Sequence, residues 1–348
     1  MKVTNSIALA GALIGLTNAN PVVKRALSDA DILNYALTLE HLEASFYKEG
    51  LKNYTQADFI SAGFADPFYA NLQEVASDEV DHVDFLTKAL SAAGASPVAA
   101  CTYDFPSVDV KSFLAVASVL EGVGVSAYLG AAASITNGAY LTAAGSILTV
   151  EARHSAYLRA ATGESPYPQA FDNPLDPNEV YTVASPFIIS CPSSNGVLPV
   201  KAFPSITLTS NGTIVDGSKV QVVTGSGFDA SNVTSLSAAF ITVTGPVFTS
   251  LKSNGGGKFT VTVPSGISGQ SYLVFTKSNT TATDDTIVAG PAIIEVGKKW
   301  NISMSTSSNA SATASSLSSP IFTGASIQMT GSVVAVLGAA LFSAAIIF

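Results

Sequence analysis

Glu79-Val-Asp-His82 and Glu151-Ala-Arg-His154 are the same four-residue phrase, Glu-x-x-His, and together they hold two of the three histidines in this 348-residue chain. Residues three apart on a helix share a face, so each phrase directs one carboxylate and one imidazole to the same point. Two such helices, joined by one inward glutamate from each of two more, compose the ligand set of a dinuclear metal centre inside a four-helix bundle. Glu40 and Glu121 supply those two glutamates. Glu121 lies within Phe113-Leu-Ala-Val-Ala-Ser-Val-Leu-Glu-Gly-Val-Gly-Val125, a stretch with no other charge, so it does not read as part of a solvated face. Four carboxylates balance two divalent cations, whereas the same carboxylates buried without metal are costly.

Outward from these phrases, residues 28–163 read as helix. Ser28 is an N-cap, with Asp29 and Asp31 in the first turn of a helix running to about Tyr47. A short helix falls near 56–61. Asp66-Pro67 opens the next long helix with proline at the first helical position, and Gly94 closes it. A third long helix begins near Asp109 and stops before Asn137-Gly138, and a fourth runs from about Ala139 to Thr162 with Gly163 as its cap. A faint repeat runs through them. Leu39-Glu40 is followed by Tyr47 and Leu120-Glu121 by Tyr128 at the same offset, and a Glu-x-x-His helix follows each. The repeat selects Glu40 as the first-helix ligand and leaves Glu43, one turn on, in reserve. Asp78 and Arg153 are candidates to orient a ligating histidine. Tyr47, Tyr128 and Tyr157 either line the centre or are ordinary core tyrosines. His41 points about 100° away from Glu40 around the helix and reads as structural or surface.

Residues 164–199 are rich in proline and have no helical period, so they read as an extended segment wrapping the bundle. From 206 to 296 the pattern changes to short β-branched runs: Ile206-Thr-Leu-Thr209, Lys219-Val-Gln-Val-Val223, Ala239-Phe-Ile-Thr-Val243, Phe259-Thr-Val-Thr-Val263, Tyr272-Leu-Val-Phe275 and Ala292-Ile-Ile-Glu-Val296. Asn211-Gly212, Asp216-Gly217 and Asn254-Gly255 mark turns between them. Such spacing indicates an immunoglobulin-like β-sandwich, a spacer or binding module with no histidine and few carboxylates.

The ends read as targeting signals. Lys2 and the apolar run 7–16 fit a secretory signal, and Lys24-Arg25 fits a processing site that starts the mature chain near Ala26. No charge occurs from Asn301 onward, and Ser, Thr and Ala dominate 303–319, as in an O-glycosylated stalk. Small residues at Gly324-Ala325-Ser326 then precede a spacer and an apolar run from 333 to 348. This is the order of a glycolipid-anchor signal with attachment at Gly324, the alternative being a membrane helix. Sequons at Asn53, Asn211, Asn232, Asn279, Asn301 and Asn309 agree with secretion. In that setting Cys101 and Cys191, the only two cysteines, are expected to close a loop of about 90 residues, the alternative being two buried thiols. A net charge of −9 without any basic stripe argues against nucleic acid as a partner.

Leu39-Glu-His-Leu-Glu-Ala-Ser-Phe-Tyr47, Asp78-Glu-Val-Asp-His82, Leu120-Glu-Gly-Val-Gly-Val125 and Glu151-Ala-Arg-His154 resemble the ferritin-like domain of secreted fungal proteins of stress response and late sexual development. Plant desiccation-related proteins are similar. The resemblance covers about 28–199 and implies Glu40, Glu79, His82, Glu121, Glu151 and His154 as ligands to two metal ions, Fe or Mn. The expected architecture is α + β and multidomain: signal and pro-segment 1–25, ferritin-like four-helix bundle 26–165, Pro-rich wrapping linker 166–200, β-sandwich 201–298, stalk 299–324 and removed anchor signal 325–348. The expected function is extracellular: Fe(II) oxidation or peroxide breakdown at the metal pair in stress or development, the alternative being a non-catalytic cell-surface or wall protein that uses the bundle for metal sequestration or structure. The expected partners are metal ions, O2 or peroxide, and a membrane or cell-wall glycan reached through the lipid anchor.

Overall fold

The structure, a computed structural model, describes residues 27–229 and 235–297. The signal and pro-segment, the stalk, the anchor signal with Gly324, and the sequons Asn232, Asn301 and Asn309 lie outside the described residues. Six α-helices are present among those described: α1 (Asp29–Asn53), α2 (Gln56–Ser61), α3 (Phe68–Ala92), α4 (Val110–Ala131), α5 (Gly138–Ala161) and α6 (Pro177–Ala184). The four long ones form the bundle, with α1 packed on α3 and α4 on α5. Their starts follow from local chemistry. Ser28 and Asp31 form a capping box on α1, Asp109 and Ser112 do the same on α4, and the Asn137 side chain accepts from the first amides of α5. Gly94 and Gly163 sit just beyond α3 and α5 at φ of 72° and 85°, the left-handed geometry that ends a helix at low steric cost. Pro67 departs from expectation. It is the N-cap residue and not the first helical residue, reached through a cis Asp66-Pro67 bond.

The segment after α5 also departs from the sequence reading. Prolines there do not exclude helix, because Pro177 occupies the first turn of α6, where no amide is needed. The Asp176 side chain caps it by accepting from the amide of Asn178, and Glu179 completes a capping box. The segment does wrap the bundle. Leu175 is fully buried, its amide donates to the Ser126 carbonyl, and its own carbonyl lies so close to Gly130 that a Cβ there would be 1.8 Å away. A two-stranded sheet, β1 (Thr102–Tyr103) with β2 (Ile188–Ser190), then brings Cys101 and Cys191 together in a disulfide with Cα atoms 4.2 Å apart.

The β region has eight strands: β3 (Ile206–Leu208), β4 (Lys219–Thr224), β5 (Ser237–Phe240), β6 (Val247–Thr249), β7 (Leu251–Gly255), β8 (Lys258–Thr262), β9 (Gly269–Thr276) and β10 (Ile287–Val296). They make two antiparallel sheets, ordered β3-β4-β8-β7 and β10-β9-β5-β6. Val220, Val222, Phe259 and Val261 of the first meet Phe240, Leu273, Phe275 and Ile294 of the second in one core. Named in chain order, the sheets read A-B-E-D and G-F-C plus one added edge strand, the immunoglobulin-like arrangement. β6 and β7 have no counterpart among the strands read from sequence. They are short, and four residues of β7 are exposed, so alternation is hard to see there.

Bundle and sandwich belong to one compact unit. β9 leans on the outer face of α4: the Tyr272 hydroxyl donates to the Gly122 carbonyl at 3.0 Å, and Gln270 Nε2 donates to the Val119 carbonyl at 3.1 Å. Arg159 of α5, 5% exposed, makes a two-pronged bond to Glu295 of β10 at 2.8 and 2.7 Å. The exposed sequons Asn53, Asn211 and Asn279 lie at the end of α1 and in loops.

Candidate metal centre

The four long helices aim their acids inward at one level. α1 presents Glu40, α3 Glu79 and His82, α4 Glu121, and α5 Glu151 and His154. All four glutamates are 0% exposed, and the histidines are 8% and 6% exposed. Ligand atoms of Glu40, Glu79, His82 and Glu151 lie within 4.8 Å of one another, and so do those of Glu79, Glu121, Glu151 and His154. Glu79 and Glu151 belong to both sets. The geometry is therefore that of two adjoining positions, each with its own glutamate and histidine and two carboxylates in common.

The rings meet this cluster through Nδ1. His82 Nδ1 lies 3.2 Å from Glu40, 3.3 Å from Glu79 and 3.4 Å from Glu151. His154 Nδ1 lies 3.0 Å from Glu79 and 3.3 Å from Glu121. The outer Nε2 of His154 is 3.1 Å from Asp78, which fixes the ring. Tyr47 of α1 donates to Glu121 of α4, and Tyr128 of α4 donates to Glu40 of α1. The sequence repeat thus closes on itself: each half's tyrosine holds one oxygen of the other half's glutamate and leaves the second oxygen facing the cluster.

Those second oxygens test whether metal fits. Glu40 Oε2, Glu79 Oε1, Glu121 Oε2, both oxygens of Glu151 and His154 Nδ1 are buried without a well-directed hydrogen bond, the histidine contacts given above being ion-pair approaches of 3.0 to 3.4 Å. A buried polar atom left so costs about 1–3 kcal/mol, more if charged, and these converge on the two ligand sets. The donor set of oxygen with two imidazoles suits Fe or Mn, and two divalent ions match four carboxylates in charge. Protonation shows the strain of the metal-free arrangement. Burial holds Glu151 well above its ordinary value and lifts Glu79 to about 7, with neighbouring carboxylates adding to both. Burial alone would lower the histidines, but the surrounding carboxylates outweigh it, pushing His82 up to about 12 and His154 to about 11.

Other residues fall differently. Glu43 is buried too, but its carboxyl is in neither ligand set among the described residues, and burial raises it well above the usual range. Arg153 is exposed and Tyr157 half-buried. Both line a cleft of about 630 Å³ between α5, the wrapping segment and β9, so neither joins the centre. Tyr157 instead stacks on Phe68 and accepts from Asn71. His41 bonds the Val98 carbonyl at 3.0 Å, a structural role. The sequence reading passed over two glycines. A Cβ on Gly122 would lie 2.5 Å from the Gln270 side chain, and one on Gly124 would lie 2.6 Å from Glu151 Oε2. Glycine recurring inside an apolar helix was the available signal, since it carries a helix penalty and so implies a close neighbour.

A bundle built on two Glu-x-x-His helices, each paired with a single-glutamate helix, defines a ferritin-like domain. Residues 28–164 match the ferritin-like domain family. The chain is similar to Protein rds1 of Schizosaccharomyces pombe, 28% identical over 196 residues, which are 56% of this chain and 48% of the relative. It thus spans about half the length of the curated relative it matches. A solved structure of a conserved hypothetical protein, rv2844, from Mycobacterium tuberculosis aligns with 38% of this chain and 96% of its own, at 19% identity and a TM-score of 0.33. The N-terminal part of the chain is a ferritin-like domain, and the relative supports a fungal ferritin-like family.

Proposed function

We propose that this chain is an extracellular dinuclear metal protein that oxidises Fe(II) or decomposes peroxide. The observation that supports it is the pair of buried ligand sets sharing Glu79 and Glu151. Two Fe or Mn ions there would supply paired one-electron changes: two Fe(II) can pass two electrons to O2, which takes up two protons and leaves as peroxide. The chain's own residues prepare the place. Glu79 and Glu151 span the two positions. Tyr47 and Tyr128 fix the outer oxygens of Glu121 and Glu40, so the inner ones are presented without rearrangement. Asp78 orients His154. Nδ1 of both histidines must lose its proton to ligate, so metal uptake releases protons.

Secretion and a surface anchor are part of the same proposal. Secretion is supported by the disulfide, which suits an oxidising compartment, and by the exposed sequons; the anchor rests on the uncharged sequence from Asn301 onward with its small residues at Gly324-Ala325-Ser326. The test is metal analysis of protein purified from its native host, then turnover of the loaded protein with Fe(II) and O2 and with peroxide. Two metal ions per chain and turnover of either substrate are expected. Tight metal binding without turnover would replace the redox reading by sequestration, and absence of metal would overturn both.

A further inference from the structure

The cleft between bundle and sandwich, about 630 Å³, has a floor whose polar groups are spent and a rim whose polar groups are not. On the floor, the Tyr272 hydroxyl bonds Gly122 and Ser126, the Gln270 amide donates to the Val119 carbonyl, and Glu295 holds Arg159. On the rim, Arg153 and Ser155 of α5, and Tyr167, Gln169 and Asp172 of the wrapping segment, have side chains that make no hydrogen bond or ion pair among the described residues. Tyr167 is 76% exposed, and Pro166 and Pro168 on either side restrict the backbone that carries it. Tyr157 lines the same space with its ring fixed on Phe68, centroids 5.4 Å apart. Glu151 and His154 leave α5 on its opposite side, so the cleft is separate from the metal centre.

We propose that this cleft binds a neutral oligosaccharide. Its size and its place at a junction between two folded parts are those of a small-molecule site. Charge narrows the ligand. The free cation Arg153 and the free anion Asp172 cancel, and Arg159 is already neutralised by Glu295, so nothing in the cleft selects a phosphate, a carboxylate or an ammonium group. The mixture of groups narrows it further. A sugar ring has apolar C–H faces and a rim of hydroxyls. The faces suit the rings of Tyr157 and Tyr167, and the hydroxyls both donate and accept, as Arg153, Gln169, Asp172 and Ser155 together require. A proline-rich peptide would use the tyrosines but lacks amide donors, and would cover the Asp172 carboxylate without satisfying it. The site is part of the folded chain, so it holds sugar without the anchor, and it does not depend on the metal reading.

The test is calorimetric titration of the full protein with neutral tetrasaccharides of glucose, mannose and N-acetylglucosamine, with tetramers of glucosamine and galacturonate as charged counterparts, and with an oligoproline peptide. At least one neutral saccharide should bind, equally well with and without metal. Tyr167→Ala and Asp172→Ala should each weaken it at least about fivefold. Both side chains are exposed, so the melting temperature should not move. Protein stripped of its N-glycans separates two sources of the sugar. Added saccharide bound by a protein that is monomeric before stripping points to sugar outside the chain. Self-association lost on stripping and in Tyr167→Ala points to a glycan carried by another copy, and either result supports the site. Failure of every neutral saccharide, with no glycan-dependent self-association, overturns the proposal. So does affinity unchanged in both variants, tighter binding of a charged tetramer than of its neutral counterparts, or oligoproline bound in their place.

Discussion

In Glu121-Gly-Val-Gly124, three residues each have a separate neighbour. Glu121 faces the ligand cluster, Gly122 makes room for Gln270 of the sandwich, and Gly124 makes room for Glu151. Gly124→Ala gains helix propensity of about 1 kcal/mol. The atom in the way is the far end of a glutamate, so the helix survives and the ligand moves. We expect metal affinity to fall at least about tenfold, by chelator competition, with helix content unchanged. Glu121→Gln should act through charge. It removes one of four negative charges, so metal content falls, while the metal-free protein melts at the same or higher temperature because one less carboxylate must be buried. Metal content matching wild type would make Glu121 an ordinary hydrogen-bonding residue. The ligands were legible because helical period alone places Glu and His on one face. Gly124 was not, because its reason lies on another helix, in Glu151.

Elements were legible where their ends carry caps. Ser28, Gly94, Asp109, Asn137 and Gly163 all mark true boundaries of long helices. α1 outruns its expected end at Tyr47 because nothing there breaks it before Tyr54. α6 was missed although Asp176-Pro-Asn-Glu179 is itself a start signal; the surrounding prolines hid it. Asp176→Ala removes the bond to the Asn178 amide and the cap of a helix clamped between bundle and sandwich. Denaturant unfolding should show a loss of about 1 kcal/mol.

For the whole molecule, the unforeseen feature is the joint between bundle and sandwich, since no local pattern pairs α5 with β10. Arg159→Ala leaves Glu295 without its buried partner. Glu295 is a third exposed, so water offsets part of the loss, and we expect about 2–3 kcal/mol by denaturant unfolding, below the range for fully buried pairs. The acids inside the bundle set the pH response. Glu79, lifted to about 7, adds stability in full below its ordinary value and loses it as pH rises toward 7. Glu179, lifted by burial to about 8, acts alike. The histidines add stability below their ordinary value of 6.5 and lose it gradually on the way to about 11 and 12. All four therefore act in one direction: metal-free protein should melt at a lower temperature at pH 8 than at pH 5. Metal binding, which releases the protons of Glu79, His82 and His154 but not that of Glu179, should widen the gap between loaded and metal-free melting temperatures over the same interval. Calorimetry at the two pH values with and without chelator checks both, and a metal-free melting temperature that rose with pH would contradict the assignment.

The bond between Cys101 and Cys191 makes a closed ring of the chain between them, and that ring contains α4, α5 and α6 with Glu121, Glu151 and His154. Glu40, Glu79 and His82 lie on the open stretch leading into it. A single cut by a protease inside the ring opens it but detaches nothing, and every ligand remains on one covalent object. A cut between α1 and α3 severs Glu40 from the rest, and α1 is then retained by packing and by any cation it shares with the ring. Vulnerability to cleavage is thus unequal along a chain whose metal ligands are equally buried, and the vulnerable half is the one that metal would rejoin.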